Sequence, residues 1–472
     1  MPLTGLTVRN AAVFFLGVFV FTLAEDVFVR QILLPHLLHA LHAGLGFMVG
    51  DSVGYHEFAV EIAKRIHVEG WGYWQLRPGT EIFTLATPAG IASAIYAIFG
   101  PNPLYLLPLN AAVHAASAVL LLIIFQALFR NKAVAGIAAL PFILFPTAIS
   151  WHSQLLKDGI FILGIYAYLA SWVLLAKADA PVIRRFLLIV VLASAGLLVV
   201  WSVRTYMLVV LGLTTVVLGV FMMSWTISRG GSGEAVLRRF LEILLFSACV
   251  LTITLAIIST DARPSMVEWT GQETTHSVYL GRPVGTNDGA GQVGRQAVVG
   301  GGPVCASWTE SPFIPTALSR LASKLVIVRN GYYDDLYAGA GSTIDRGVCI
   351  TSFYGLVAFL PRALQVGLLA PFPSQWVEAR LHGGGVSRMI VGLEMVFTYF
   401  ALLALVLYGR RFWRLPQFWL LLGFALSIIL MYAVVTPNIG ALHRMRYGFL
   451  TLIVGMGLGA VLMRFRFRSP SL

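Results

Sequence analysis

Charge is what this chain has least of. Aspartate, glutamate, lysine and arginine make up 11% of its 472 residues, against roughly a quarter in soluble domains, so a string of ordinary soluble domains is excluded. Cysteine is nearly absent, at three residues, which rules out a disulfide-dense scaffold. Long alternation of apolar and polar residues is missing, and with it the signature of a membrane β-barrel. No His-Glu-x-x-His run and no close His/Cys/Asp cluster has zinc-ligand spacing, so a local metal motif is excluded, while ligands drawn from distant parts of the chain stay open. Low-complexity tracts, tandem repeats and lipidation motifs are not evident.

What is present in excess is apolar length. Hydrophobic residues form 58% of the chain and the mean hydropathy is +0.82. Runs near the roughly 20 residues that cross a bilayer recur throughout, which predicts an all-α polytopic membrane protein. The spans fall at 10–29, 103–128, 133–150, 159–176, 186–202, 206–225, 240–259, 388–408, 415–435 and 447–463, about ten helices in a range of about 8–12. The first run follows Arg9 and ends in "TLA", a sequence a signal peptidase could cut; an uncleaved first helix fits the rest of the chain better. Two further apolar stretches, 82–99 and 353–371, are interrupted by Pro88 and by Pro361 with Arg362, and read as helices lying at the interface, with spanning as the alternative.

The net charge is +12, yet the cations cluster beside apolar spans, where orientation in the membrane explains them better than nucleic acid does. Arg9, Arg130 with Lys132, Lys177 with Arg184 and Arg185, Arg229 with Arg238 and Arg239, Arg410 with Arg411 and Arg414, and "RFRFR" at 464–468 share one side. The positive-inside rule makes that side cytoplasmic and places both termini there. The opposite side receives the loop at 30–102, the short turns at 151–158 and around Arg204, the insertion at 260–387 and the segment 436–446. The chain thus divides into an N-terminal membrane module (1–259), an outer insertion (260–387) and C-terminal spans (388–472). Cys305 and Cys349 both lie in the insertion; an oxidising outer compartment would pair them, the alternative being two free thiols. Cys249 falls in a span.

The outward segments hold the groups able to do chemistry. In "GFMVGDSVGYHEFAVEIAKRIHVEGW" (46–71) an amphipathic helix places Tyr55 one turn from Asp51, with His56 and Glu57 beside it. Asp51 or Ser52 would equally serve as a helix cap. "GDS" at 50–52 is followed by Val53 and lacks a downstream Asp-x-x-His, so a GDSL-type hydrolase is set aside. Asp158 follows Lys157 and opens a span, where it either meets the helix dipole or faces the same cleft as Asp51. Arg204 sits in a very short turn. Arg444 and Arg446 open the last span with His443 and Tyr447 alongside. Arginines at such a depth either snorkel to lipid head groups or fork onto phosphate oxygens. Glu394 is an acid inside a span, expected to pair with a neighbour.

Four segments in order, "GDSVGYHEFA", "PGTEIFTLATPAGIASAIYAIFG" leading into "LPLNAAVHAASAVLLLIIF", "FPTAISWHSQLLKDGIFILG" and "HRMRYGFLTLIVGMGLGAVL", resemble the GT-C superfamily of membrane glycosyltransferases. The likeness covers about 1–225 and 436–463; the insertion has no counterpart in it, and Lys157-Asp158 departs from its second outward loop. The resemblance implies an inverting transferase that moves a sugar from a polyprenyl-phosphate donor to a hydroxyl on a glycan, lipid or protein acceptor. Asp51 would be the general base, with Asp158 as a second acid. Arg204, Arg446, Lys157 and Arg444 would hold the donor phosphate, and Tyr55, His56, Glu57 and Tyr447 would position the acceptor. No cofactor is implied, and a divalent metal is left open. The setting would be a bacterial cytoplasmic membrane with the site on its outer face. Two alternatives stand beside this one. An oligosaccharide polymerase or O-antigen ligase would work through Arg320, Arg329, Arg346 or His382 of the late loop. A flippase or transporter of lipid-linked sugars would show repeats and charges at the midplane.

Overall fold

The computed structural model describes residues 7–48, 50–79, 86–177, 183–260, 308–331, 342–376 and 385–466. Among them β pairing is limited to isolated bridges and the architecture is helical. The elements used below are α1 (Val8–Phe28) with a π-helical continuation (Val29–Leu37), α2 (Asp51–Glu69), α3 (Thr87–Phe99), α4 (Leu107–Phe129), α5 (Lys132–Leu144), α6 (Pro146–His152), α7 (Asp158–Lys177) and α8 (Ile183–Val203). They continue with α9 (Tyr206–Arg229), α10 (Gly233–Thr260), α11 (Thr316–Gly331), α12 (Phe353–Leu369), α13 (Pro373–Trp376), α14 (Gly385–Tyr408), α15 (Pro416–Val435) and α16 (Ile439–Arg466).

Nine helices among the described residues are long and apolar enough to cross a membrane. Many of their apolar side chains point outward: Leu187, Val191, Val217, Leu255 and Val406 are each more than half exposed. In water such faces would mark association sites; on helices of this length they are surfaces for lipid. The expected span at 133–150 is different in kind, because α5 and α6 are bent by 61°. Pro146 is the cause. It disfavours helical geometry at the residue before it, and Phe145 accordingly sits at φ −65°, ψ 130°. The last span also starts earlier than expected: α16 begins at Ile439, so Arg444 and Arg446 lie inside a helix and not in the loop before it. The stretches expected at the interface are the short apolar helices α3 and α12.

Two compact units make up the chain. The first comprises Met1–Met266, Phe372–Ser427 and Tyr447–Leu472. Its helices approach closely where side chains are absent. A Cβ on Gly164 of α7 would lie 2.8 Å from the carbonyl oxygen of Gly196 on α8, and one on Gly196 would lie 2.7 Å from that of Gly164. In α16 a Cβ on Gly455 would come within 2.4 Å of the Ala138 carbonyl oxygen and one on Gly457 within 2.0 Å of that of Ala401. Small residues are how helices in lipid gain contact, since apolar burial alone does not favour helix over lipid. Between α4 and α5 the turn is made by Arg130 at φ 55° and by Asn131, whose side chain accepts from the amides of Ala133 and Val134 and caps α5.

The second unit comprises Val267–Pro371 and Ile428–Arg446. Here α11 meets α12, with the fully buried Arg329 donating to the Val434 carbonyl at 3.1 Å and lying 4.6 Å over the Phe359 ring. Arg362 pairs with Asp345 at 3.0 Å. Cys349 is disulfide-bonded; its expected partner, Cys305, lies outside the described residues, as does His382. Cys249 is a free thiol.

Candidate functional site

The first unit gathers most of the charged residues picked out in the sequence. Asp51 is exposed and is the first residue of α2. Gly50 precedes it at φ 136°, a conformation that glycine adopts without strain. The cap expected of Ser52 is not made to the helix amides: its hydroxyl donates back to the Met48 carbonyl at 3.1 Å. One turn on, Tyr55 is buried in a cluster with Phe47, Ala59, Ala89, Leu106 and Leu155. His56 is also buried, with Nδ1 2.9 Å from the Tyr96 hydroxyl of α3. Burial, and then the positive charge of Arg30, hold His56 below the ordinary histidine range, while burial pushes the Tyr96 phenol up. Glu57 faces solvent.

The loop before Asp51 is fixed from two directions. Gly46, at φ 73°, packs so tightly on Arg30 that a Cβ would lie 2.7 Å from the Arg30 Cβ. Gln154, just beyond α6, accepts from the Met48 amide at 2.9 Å, and Arg30 Nε donates to the Ser153 carbonyl at 2.7 Å. The next residues bring Asp158 into place. The Lys157 ammonium lies 5.7 Å from the centre of the Tyr55 ring, within the range of a cation–π contact. Asp158, buried at the start of α7, accepts from Arg204 Nη2 at 2.5 Å. Arg204 follows α8 directly and stacks 4.5 Å over Phe161. Tyr447 is buried and stacks on Phe142, within electrostatic reach of Asp158, Tyr166 and Arg204.

Arg77 belongs to this group and was not anticipated. Its guanidinium donates to the Thr205 hydroxyl at 2.8 Å and lies 4.1 Å over the Trp201 ring, beside the turn that carries Arg204. The sequence offered only "LRPG", an arginine ahead of a turn, with nothing to separate it from other loop cations.

Arg446, in the second unit, is fully buried. It donates to the carbonyls of Val366, Gly367 and Ala370, at the C-terminal end of α12, where a cation meets the helix dipole and its open carbonyls. His443 Nδ1 is 3.3 Å away, and Arg444 is half-buried. Glu394 on α14 accepts from both the amide and the hydroxyl of Thr147, which are open donors in the first turn of α6. Among the described residues no three His, Cys, Asp or Glu side chains are arranged to hold a metal ion. Comparison of the chain with protein-family models, curated proteins and solved structures finds no match.

Proposed function

We propose that this protein is an inverting membrane glycosyltransferase that takes a sugar from a polyprenyl-phosphate donor, with Asp51 as general base. The observation that carries the proposal is the approach of Lys157 to the Tyr55 ring. It joins the start of α2, where Asp51 is exposed, to the turn that continues into Asp158 and its partner Arg204. A base and cations that could hold a phosphate thus share one neighbourhood.

In the proposed reaction the Asp51 carboxylate takes the proton of an acceptor hydroxyl as that oxygen attacks the anomeric carbon. The bond from that carbon to the lipid-phosphate oxygen breaks, its electrons stay on the phosphate, and the configuration inverts. Lys157 and Arg204 stabilise the charge growing on the leaving phosphate, and Asp158 orients Arg204. Arg77 is the added candidate beside them. Arg446 is engaged by backbone carbonyls, so the phosphate falls to Arg204 and Lys157 first. Tyr55, His56, Glu57 and Tyr447 remain the acceptor-side candidates. The membrane is read as a bacterial cytoplasmic one with this site outside.

The test reconstitutes wild type and Asp51→Asn in liposomes with a panel of radiolabelled polyprenyl-phosphate sugars and an extract as acceptor, and follows lipid-phosphate release. Release by wild type that falls by roughly 10²–10⁴-fold in the folded variant is expected, and Arg204→Gln should fall by a comparable factor. Undiminished release by Asp51→Asn would move the chemistry to Arg320 or Arg346 and to a polymerase or ligase. One observation favours transport as a second reading: the bend between α5 and α6 stands beside buried ionisable groups, as in broken-helix carriers. A glycosidic product formed without any gradient would remove it as the whole function.

A further inference from the structure

A second set of buried ionisable groups takes no part in the chemistry above. Glu25 and Asp26 lie near the end of α1, Arg30 follows in the π-helical continuation, His114 is on α4 and His152 ends α6. Asp26 is 0% exposed, Arg30 1%, His114 2% and His152 4%. His152 Nδ1 is 3.0 Å from Asp26 Oδ1, and its Nε2 is 3.9 Å from Glu25 Oε2. The imidazole therefore stands between two carboxylates, one on each nitrogen.

That arrangement is short of a proton when both acids are ionised and the ring is neutral. A neutral imidazole has one N–H and one lone pair. With the N–H on Nδ1, beside Asp26, Nε2 presents a lone pair 3.9 Å from Glu25 Oε2. One added proton resolves the conflict, either as an imidazolium standing between two carboxylates or as a carboxylic acid at Glu25. Charge balance gives the same count. Two carboxylates and Arg30 sum to one net negative charge in a buried setting, and one added proton brings the sum to zero. An uncompensated buried charge is costly.

The protein itself does not saturate the cluster. Glu25 Oε2, both oxygens of Asp26, both terminal nitrogens of Arg30, both ring nitrogens of His152 and Nε2 of His114 are buried without a hydrogen-bond partner, so the carboxylates and the imidazole stand at ion-pair distance with no hydrogen bond made between them. The groups facing His152 are Glu25 and Asp26 from the first helix and His114 from α4, whose ring centre is 4.0 Å from that of His152, while the charge of Arg30 acts on Asp26. The acids sit on opposite edges of the ring and do not converge on one point, in keeping with the absence of a metal-holding group among the described residues. The helix also leaves α geometry at Val29, directly after Phe28, and π-helical segments concentrate at functional sites.

We infer that Glu25, His152 and Asp26 form a buried site for one exchangeable proton, shared across the imidazole. With the proton in place α1 is locked to the end of α6. Arg30 and Gln154 carry that lock to the 42–50 loop through the Ser153 carbonyl, Gly46 and the Met48 amide. The site does not depend on which substrate the protein uses.

The experiment uses the full chain in nanodiscs of phosphatidylethanolamine and phosphatidylglycerol. An alkaline titration is followed by infrared difference spectroscopy, and thermal unfolding is measured over the same pH series. Wild type should lose one protonated-carboxyl or imidazolium signal per chain. Because the folded site holds one proton more than the unfolded chain up to the pH at which that signal is lost, the unfolding constant should rise by about tenfold per pH unit below that pH and level off above it. Glu25→Gln supplies a permanent N–H beside Nε2 and a neutral cluster, so it should fold, lose the signal and flatten the pH dependence. Glu61→Gln, at an exposed pair, should leave both unchanged. The site is overturned if wild type shows no titrating signal, or if Glu25→Gln and His152→Phe both retain the wild-type signal.

Discussion

Buried against Tyr96 and lying in the field of Arg30, His56 stays neutral in the folded protein at a pH where the unfolded chain takes up a proton, near about 6.5. The folded state therefore binds fewer protons on the acid side, and stability rises with pH across that window. The contribution is complete above about pH 6.5 and is lost as pH falls below it through the lowered value of His56. Thermal unfolding in detergent should show a falling midpoint as the solution is acidified. His56→Asn should flatten that acid limb while costing about 1 kcal/mol for the hydrogen bond to Tyr96. A wild-type acid limb in the variant would place the linked proton elsewhere. Histidine at this position was visible in the sequence, but its partner was not, because Tyr96 is on a helix that periodicity alone could not dock.

The pairing of Asp158 with Arg204 is a property of two helices. Asp158 opens α7 and Arg204 follows the end of α8, so antiparallel packing brings them level only if the crossing at Gly164 and Gly196 is tight. Gly164→Ala forces the helices apart, because the new methyl group would meet a backbone carbonyl and not a yielding side chain. Overpacking of this kind costs roughly 1–3 kcal/mol. The variant should unfold earlier and lose the proposed transfer activity beyond its loss of folded protein, whereas Gly136→Ala, with open space around it, should change neither. Equal behaviour of the two variants would remove the crossing as the determinant of the ion pair. The apolar runs made α7 and α8 legible, since length and hydropathy are local quantities. The break before α6 was readable from Pro146 but was masked by continuous apolarity on both sides. The Glu25–His152–Asp26 group was out of reach, because it joins residues more than a hundred positions apart whose neighbours look like ordinary span residues.

At the scale of the molecule, the asymmetry of basic residues predicts one orientation. Right-side-out vesicles carrying Cys249→Ser and a single new thiol would check it with an impermeant reagent, since Cys349 is already bonded. A thiol from Lys64→Cys on the exposed face of α2 should react from outside, and one from Arg238→Cys at the exposed start of α10 only after permeabilisation. The reverse pattern would put Asp51 in the cytoplasm and contradict the proposed use of an outward site. Composition was enough to give the polytopic class, and charge gave a testable direction. Neither could show that 428–446 groups with the insertion in one compact unit, since that grouping rests on contacts such as Arg446 with the end of α12.

The tie between Thr147 and Glu394 spans 247 residues. A ribosome adding about 5–20 residues each second therefore needs roughly 10–50 s after making α6 before the carboxylate that completes its first turn exists. During that interval the open amides of α6 depend on water, on lipid head groups or on an insertion factor. The N-terminal half of this protein is thus unfinished by design until its late helices arrive, and a chain that stops short of α14 carries its defect inside the membrane.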